Sequence, residues 1–111
     1  MFSLDVETPQ QVSEILNADI HIIKFSATWC RPCKILQNTI NEHLQDEVFN
    51  NTILMHVDID DEEFAEMFPD YGVNTIPHVV VKNKTETKHI VGNKFEQIVE
   101  AINELRGSVD T

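Results

Sequence analysis

A β-branched, mostly apolar run that ends just before two cysteines is the feature that most constrains this fold. The run from Ile20 to Ser26 has the composition of a central strand. Beyond the cysteines, from about Pro32 to Val48, apolar residues recur every four positions and predict an amphipathic helix, namely Leu36, Ile40, Leu44 and Val48. The sequence therefore predicts that Cys30 and Cys33 lie where a buried strand passes into a helix.

The segments on either side of this junction also carry clear patterns. Phe2 to Val6 alternates apolar and polar residues and predicts a short edge strand. An N-cap at Thr8 with a capping-box residue at Gln11 predicts a helix that runs to about Asn17. After the second helix, Thr52 to Asp58 has the composition of another buried strand.

A short acidic helix is predicted next. Asp60 and Glu63 form a capping box, the helix is expected to run through Phe68, and Pro69 is expected to end it.

The C-terminal third predicts a hairpin and a helix. Pro77–Val81 and Thr87–Val91 are strand-like and are separated by a polar turn. Asn93 and Glu96 predict the cap of a final helix that Gly107 is expected to stop; its apolar positions are Phe95, Ile98, Val99, Ile102 and Leu105.

The order βαβαβαββα predicts an α/β fold in which a central mixed sheet of about five strands is flanked by four helices. The length suits one domain, expected over residues 1–106, with a short polar tail at 107–111. Sites in such sheets favour the carboxyl ends of parallel strands, where the cysteines are expected.

Charge limits the set of partners. The net charge of −11 disfavours nucleic acid, because a phosphate backbone would be repelled. Seven acids concentrate in one stretch, which is either a solvated helix face or a docking patch for a basic partner; they are Asp58, Asp60, Asp61, Glu62, Glu63, Glu66 and Asp70.

Localisation and oligomeric state are expectations from the same composition. No signal peptide is visible, and no apolar run approaches the roughly 20 residues that cross a bilayer. We therefore expect a cytoplasmic protein that makes no membrane contact. A monomer is the default, because the acidic surface offers no evident self-complementary patch.

The cysteine pair suits thiol–disulfide exchange, which needs an attacking thiolate and a second thiol that releases the mixed disulfide. Cys30 and Cys33 share one face at the start of a helix, within the roughly 4.4–6.8 Å Cα separation that a disulfide tolerates. The helix amides and macrodipole, with the positive charges of Arg31 and Lys34, predict a thiol pKa below ~8.5. Cys30, at the very end of the helix and more exposed, is expected to attack.

Two other readings of the cysteine pair remain. Half of a zinc site would need two further ligands, and only histidines could supply them, without paired spacing; they are His21, His43, His56, His78 and His89. An inert pair of free thiols is the other reading. We expect no metal.

Two motifs carry a family resemblance. The hexapeptide from Trp29 to Lys34, Trp-Cys-Arg-Pro-Cys-Lys, resembles the thioredoxin signature Trp-Cys-Gly-Pro-Cys-Lys, with Arg31 where glycine is usual. Thr75-Ile76-Pro77 resembles the family's loop with a cis-proline that faces the cysteines. The segment Val57–Asp60 resembles the third strand and Val91-Gly92 the glycine beside the substrate groove, so the likeness covers roughly Phe2 to Arg106.

The resemblance implies a thioredoxin fold and a protein-disulfide reductase. Cys30 would be the nucleophile and Cys33 the buried resolving thiol, and a groove for extended substrate backbone would be lined by Trp29, Pro32, Ile76, Pro77 and Gly92. The implied partners are disulfide-containing proteins and a thioredoxin reductase or another dithiol donor. No bound cofactor is implied.

Lys24 and His56 also depart from the family pattern. Lys24 stands six residues before the first cysteine, where thioredoxins usually have a buried aspartate that exchanges a proton with the resolving thiol. His56 stands where a lysine often pairs with that aspartate. Lys24 either snorkels to water or is buried, and a buried amine would have a lowered pKa or favour a thiolate at Cys33.

These departures leave the redox direction open. Arg31 and Lys24 are expected to stabilise the reduced form and to make the protein a weaker reductant. His78, which follows Pro77 where threonine is common, is either a determinant of substrate choice or a neutral strand residue. The competing functions are an oxidase or isomerase, and a thioredoxin-fold interaction subunit whose acidic face matters more than turnover.

Overall fold

The computed structural model describes residues 1–14 and 18–109, and the order of its elements is the predicted one. The strands are β1 (Phe2–Asp5), β2 (Ile20–Ser26), β3 (Thr52–Asp58), β4 (His78–Lys82) and β5 (Thr87–Val91). The α-helices are α1 (Pro9–Glu14), α2 (Arg31–Glu42), α3 (Met67–Tyr71) and α4 (Phe95–Val109), and short 3-10 turns span Glu47–Phe49 and Glu62–Phe64. The predicted end of the first helix, near Asn17, lies outside the described residues.

The strands form one mixed sheet in the order β1-β3-β2-β4-β5. β3 pairs in parallel with both β1 and β2, whereas β4 is antiparallel to β2 and to β5. The predicted edge strand, central strand and hairpin are therefore confirmed. The C-terminal ends of β2 and β3 lie beside the N-terminal end of β4. The segments that follow β2 and β3 therefore meet the segment that precedes β4.

Two apolar cores cover the two faces of the sheet. Side chains alternate along β2, so Ile22 joins a core with α2 and α4, while Ile23 joins a core with α1 and α3. Phe25 is fully buried in the second core and meets the rings of Phe68 and Tyr71. Each large side chain buried in this way contributes roughly 1.5–3 kcal/mol of transfer free energy.

The second helix ends earlier than predicted. We expected it to reach Val48, but α2 ends at Glu42, and His43 leaves helical geometry with φ −116° and ψ 12°. The His43 side chain forms a hydrogen bond of 2.8 Å with Asp46, which stabilises the turn. Leu44 and Val48 still pack against the first core. The four-residue apolar period therefore predicted correctly which side chains face the core, but it did not predict where the helix ends.

The acidic segment after β3 also differs from the prediction. Asp61, rather than Asp60, caps the 3-10 turn by accepting a hydrogen bond from the Glu63 amide at 3.0 Å. Pro69 does not end the helix, because it lies within the first turn of α3, where its missing N–H has no partner to lose. The helix ends instead at Gly72, whose φ of +66° favours glycine.

The last helix extends past its predicted end. It begins at Phe95, and the Lys94 carbonyl, one residue after the predicted cap Asn93, accepts from the Ile98 amide at 3.3 Å. Gly107 lies inside α4, which continues to Val109, so this glycine does not stop the helix. The predicted tail is thus helical over its first three residues.

Candidate active site

A disulfide joins Cys30 and Cys33 at the N-terminus of α2, with their Cα atoms 5.3 Å apart as the spacing predicts. Cys30 is the N-cap of this helix, and its Sγ accepts a hydrogen bond of 3.2 Å from the Cys33 amide. An amide aimed at this sulfur, together with the positive end of the helix macrodipole, stabilises negative charge at Cys30. The predicted strand-to-helix junction is therefore confirmed.

Exposure does not distinguish the two cysteines. Cys30 is 4% exposed and Cys33 is 3% exposed, so in the disulfide form the expected greater exposure of Cys30 amounts to a very small difference. Both sulfur-bearing residues form a small cluster with Ala27, and Ile59 and Ile76 pack against it. What separates the cysteines is position, because only Cys30 occupies the N-cap.

The side chains around the disulfide are mostly exposed. Trp29 is 65% exposed, and its indole N–H donates to Asp60 Oδ2 at 2.8 Å. The first turn of α2 presents Arg31, Pro32 and Lys34 to solvent. The sequence predicts Asp60 as a helix cap, and no local spacing signals a contact that joins residues 31 positions apart.

The loop before β4 brings three further predicted residues together. The Ile76–Pro77 peptide bond is cis, and Ile76 packs against the cysteine cluster. The Pro77 carbonyl accepts a hydrogen bond of 2.8 Å from the Gly92 amide, which places Gly92 beside this loop. Gly92 has a φ of +98°, a region that side chains other than glycine rarely adopt.

A cavity of about 430 Å³ lies on the Cys33 side of the disulfide, and its lining includes Lys24, Lys34, Gln37 and His56. Lys24 is only 3% exposed, so of its two predicted fates burial is correct and snorkelling to water is wrong. Its Nζ donates to Gln37 Oε1. Gln37 was missed by sequence reasoning, although its position one helical turn after Cys33 places both on one face of α2.

Burial lowers the pKa of Lys24 to about 8, and the nearby negative charge of Asp5 opposes this effect. His56 is the partner of Lys24 in the β2–β3 register, and its ring forms a hydrogen bond of 2.7 Å with Ser3. Burial lowers the pKa of His56, the Lys24 charge lowers it further, and Asp5 raises it. A lysine and a histidine therefore share the space beneath Cys33.

His78 follows the cis-proline and is buried on the opposite face from Lys24, beside Phe25. Its Nε2 lies 2.9 Å from Nδ1 of His89, whereas its own Nδ1 has no hydrogen-bond partner among the described residues. Burial lowers the pKa of His78, and the neighbouring His89 lowers it further. Its influence on substrate choice stays a prediction.

The described part of the chain contains no group of three or more His, Cys, Asp or Glu residues placed to hold a metal ion. Nor do its helices include one long and apolar enough to cross a membrane.

A mixed sheet that carries a Cys-x-x-Cys disulfide at a helix N-terminus, beside a cis-proline, defines a protein of the thioredoxin-fold dithiol–disulfide class. The Thioredoxin family model matches residues 4–104. The chain therefore belongs to the thioredoxin family.

Relatives agree with this assignment. Thioredoxin H2 of Arabidopsis thaliana is 29% identical over 86 residues, which are 77% of this chain and 62% of the relative. Thioredoxin H2-1 of Oryza sativa subsp. japonica is 33% identical over 78% of this chain and 61% of its own length. The matches thus span about three fifths of these two relatives. For thioredoxin of Ovis aries the identity is 28%, over 90% of this chain and 95% of the relative.

Solved structures show the fold. Thioredoxin from Trypanosoma brucei brucei superposes with a TM-score of 0.79 at 20% identity, over 95% of this chain and 91% of that one. Malassezia sympodialis thioredoxin gives a TM-score of 0.76 at 21% identity, over 94% and 93% of the two chains. The predicted thioredoxin fold is therefore confirmed.

Proposed function

We propose that the chain is a thiol–disulfide oxidoreductase that reduces disulfides of other proteins through Cys30 and Cys33. The observation that carries this proposal is the disulfide at the N-terminus of α2, where the Cys30 Sγ accepts the Cys33 amide at 3.2 Å. Membership of the thioredoxin family supports it. The same geometry favours Cys30 as the attacking thiolate, because the helix N-terminus stabilises negative charge there.

The proposed reaction transfers two electrons in two exchanges. The Cys30 thiolate attacks one sulfur of the substrate disulfide, and the other substrate sulfur leaves as a thiolate. The Cys33 thiolate then attacks the Cys30 Sγ, which forms the Cys30–Cys33 bond and breaks the bond to the substrate. The substrate gains two electrons and, from solvent, two protons, and the enzyme dithiol is oxidised.

The proposed substrate groove combines residues that the fold brings to one edge of the sheet. Trp29 and Pro32 are exposed beside the disulfide, and Ile76, Pro77 and Gly92 are joined to it through the cysteine cluster and the Pro77–Gly92 hydrogen bond. Oxidised enzyme would return to the dithiol through a thioredoxin reductase or another dithiol donor. We further propose that the protein is monomeric, is cytoplasmic and has no bound cofactor.

Single-cysteine variants test which sulfur attacks. With an oxidised peptide that bears one disulfide, Cys33→Ser is expected to accumulate a mixed disulfide at residue 30, because the resolving thiol is absent. The matched variant Cys30→Ser is expected to form far less adduct. Mass spectrometry of the intact protein measures both. Equal adduct in the two variants, or adduct only in Cys30→Ser, would overturn the assignment of the nucleophile.

Oxidase or isomerase duty is the second candidate, and the positive charges of Lys24 and Arg31 near the disulfide favour it. Fluorescence of Trp29, which adjoins Cys30, reports the dithiol–disulfide equilibrium in graded thiol buffers. A transition near about −270 mV, the value typical of thioredoxin itself, supports the reductase, whereas one at about −200 mV or above favours the second candidate. Absence of any reversible two-electron transition would favour an interaction subunit instead.

A further inference from the structure

Lys24 is a buried ionisable residue to which the proposed exchange assigns no role. It is 3% exposed and lies on β2, directed towards α2. Its Nζ donates to the side chain of Gln37, which lies one helical turn after Cys33 on the same helix. The Gln37 amide in turn donates to Asn41 at 2.9 Å, so its oxygen is held towards the lysine. Lys24 is thereby held against the helix that carries the resolving cysteine.

A cavity joins the two residues. Lys24 and Cys33 both line the space of about 430 Å³ beneath the disulfide, which has room for water. The cavity therefore provides a route, wide enough for water, between the amine and the sulfur. Cys30, by contrast, is not among the residues that line this cavity.

The charged groups around Lys24 leave the amine without an ion-pair partner among the described residues. Asp5 on β1 and Asp58 on β3 line the same cavity, but both are exposed. Burial and, after it, the Lys24 charge lower the pKa of His56 on β3, and Lys34 on α2 is exposed to water. On β4 the register partner of Lys24 is the apolar Val79.

We propose that Lys24 exchanges a proton with Cys33 through this cavity, so that Cys33 attacks as a thiolate paired with the Lys24 ammonium. This inference rests on the proposed function. In the mixed disulfide, the Cys33 proton moves to the neutral Lys24 amine. The Cys33 Sγ then bonds to the Cys30 Sγ, and the substrate sulfur leaves with the electron pair of the broken bond.

The titration of Lys24 suits this role. Because burial lowers its pKa to about 8, the amine is neutral in a useful fraction of molecules near neutral pH, as an ordinary surface lysine is not. A thiolate next to the ammonium stabilises both charged forms, so the two groups titrate as a coupled pair. Lys24 thus acts as the general base for the resolving thiol.

Lys24→Met removes the amine and keeps a long apolar chain that suits a buried site. A mixed disulfide between Cys30 and the chromophore 5-thio-2-nitrobenzoate is formed at pH 4, and release of the chromophore is followed after jumps to pH 6–9. At pH 7 the variant is expected to release it at least about tenfold more slowly, which is the effect of one unit in the thiol pKa. The logarithm of the variant's release rate should rise with pH with a slope of one, and it should level off at a higher pH than that of the wild-type protein.

Lys84→Met is the matched control, because Lys84 lies exposed in the turn between β4 and β5 and its loss changes the net charge equally. This control is expected to keep the wild-type profile. An identical profile for Lys24→Met would overturn the proposal while leaving the oxidoreductase function intact. Failure of the wild-type protein to form or resolve the mixed disulfide would instead overturn the proposed function.

A spectroscopic measurement tests the pairing without turnover. The Lys24 Cε resonance is titrated in Cys30→Ser, which retains only the Cys33 thiol, and in the variant with both cysteines changed to serine. The lysine midpoint is expected to be higher by about one pH unit when the thiol is present, because a neighbouring thiolate favours the ammonium. Equal midpoints in the two proteins would overturn the proposal.

Discussion

Arg31 is the residue of the active-site hexapeptide that departs from the thioredoxin signature, and its position gives it a direct electrostatic role. It lies between the two cysteines, in the first turn of α2, with its side chain exposed. A positive charge there stabilises the thiolate of the reduced form but has no equivalent effect on the neutral disulfide. The expected consequence is a higher reduction potential.

Arg31→Gly tests this consequence. Loss of the charge is expected to lower the reduction potential, by up to about 30 mV if the dithiol–disulfide equilibrium shifts tenfold. Equilibration with graded thiol buffers, followed by Trp29 fluorescence, measures the potential. Arg31→Lys keeps the charge and should remain close to the wild-type value. A potential that is the same in all three proteins would show that this arginine does not tune the couple.

Residues near each other in sequence could be assigned from the sequence, and residues that meet only in the fold could not. The Cys30–Cys33 pairing follows from a spacing of three on a helix, and so does the capping of α1, where Gln11 accepts from the Thr8 amide at 3.3 Å. The contacts from Trp29 to Asp60 and from Lys24 to Gln37 depend on how separate elements are placed. No local pattern encodes that placement.

At the scale of elements, the helix ends were the least predictable part of the fold. The sequence predicts Pro69 and Gly107 as helix stops, but Pro69 lies in the first turn of α3 and Gly107 lies inside α4. A helix tolerates proline in its first turn because the missing N–H would have no intrahelical partner. The strands and their order along the chain were predicted well, because β-branched runs and alternation indicate burial in a sheet.

Gly107 offers a quantitative test of the extended helix. Beyond the backbone of its own helix, a Cβ at this position would meet no atom within 4 Å, and the backbone is helical. Gly107→Ala is therefore expected to stabilise the protein by about 0.5–1 kcal/mol, since alanine loses less backbone freedom on folding. The matched change Gly72→Ala is expected to destabilise it, because Gly72 has a φ of +66°. Urea denaturation of the three proteins measures the free energies of unfolding.

A destabilised Gly107→Ala variant would contradict a helix that continues to Val109. If Gly72→Ala were as stable as the wild-type protein, the left-handed end of α3 would be wrong instead. Gly107→Ala thus tests the helical backbone of α4, and Gly72→Ala controls for the general effect of replacing a glycine.

At the scale of the whole molecule, the acidic side chains surround the active site with a negative electrostatic potential. The net charge is −11, and six of the seven acids of the stretch from Asp58 to Asp70 are exposed. One of them, Asp60, accepts a hydrogen bond from the indole N–H of Trp29 beside the disulfide. Arg31 and Lys34 create a local positive potential beside the disulfide. A charged substrate therefore experiences a negative potential at a distance and a positive potential at the active site.

Two disulfide peptides of equal length, one flanked by lysines and one by glutamates, separate these fields. The long-range field governs encounter, so at low ionic strength the basic peptide is expected to be reduced with about tenfold higher kcat/KM. At 0.5 M salt the Debye length falls to ~4 Å, and the ratio should approach one. Steady-state reduction rates across a salt series provide the measurement. Faster reduction of the acidic peptide would mean that Arg31 and Lys34 dominate, and it would exclude the acidic stretch as a docking patch for basic partners.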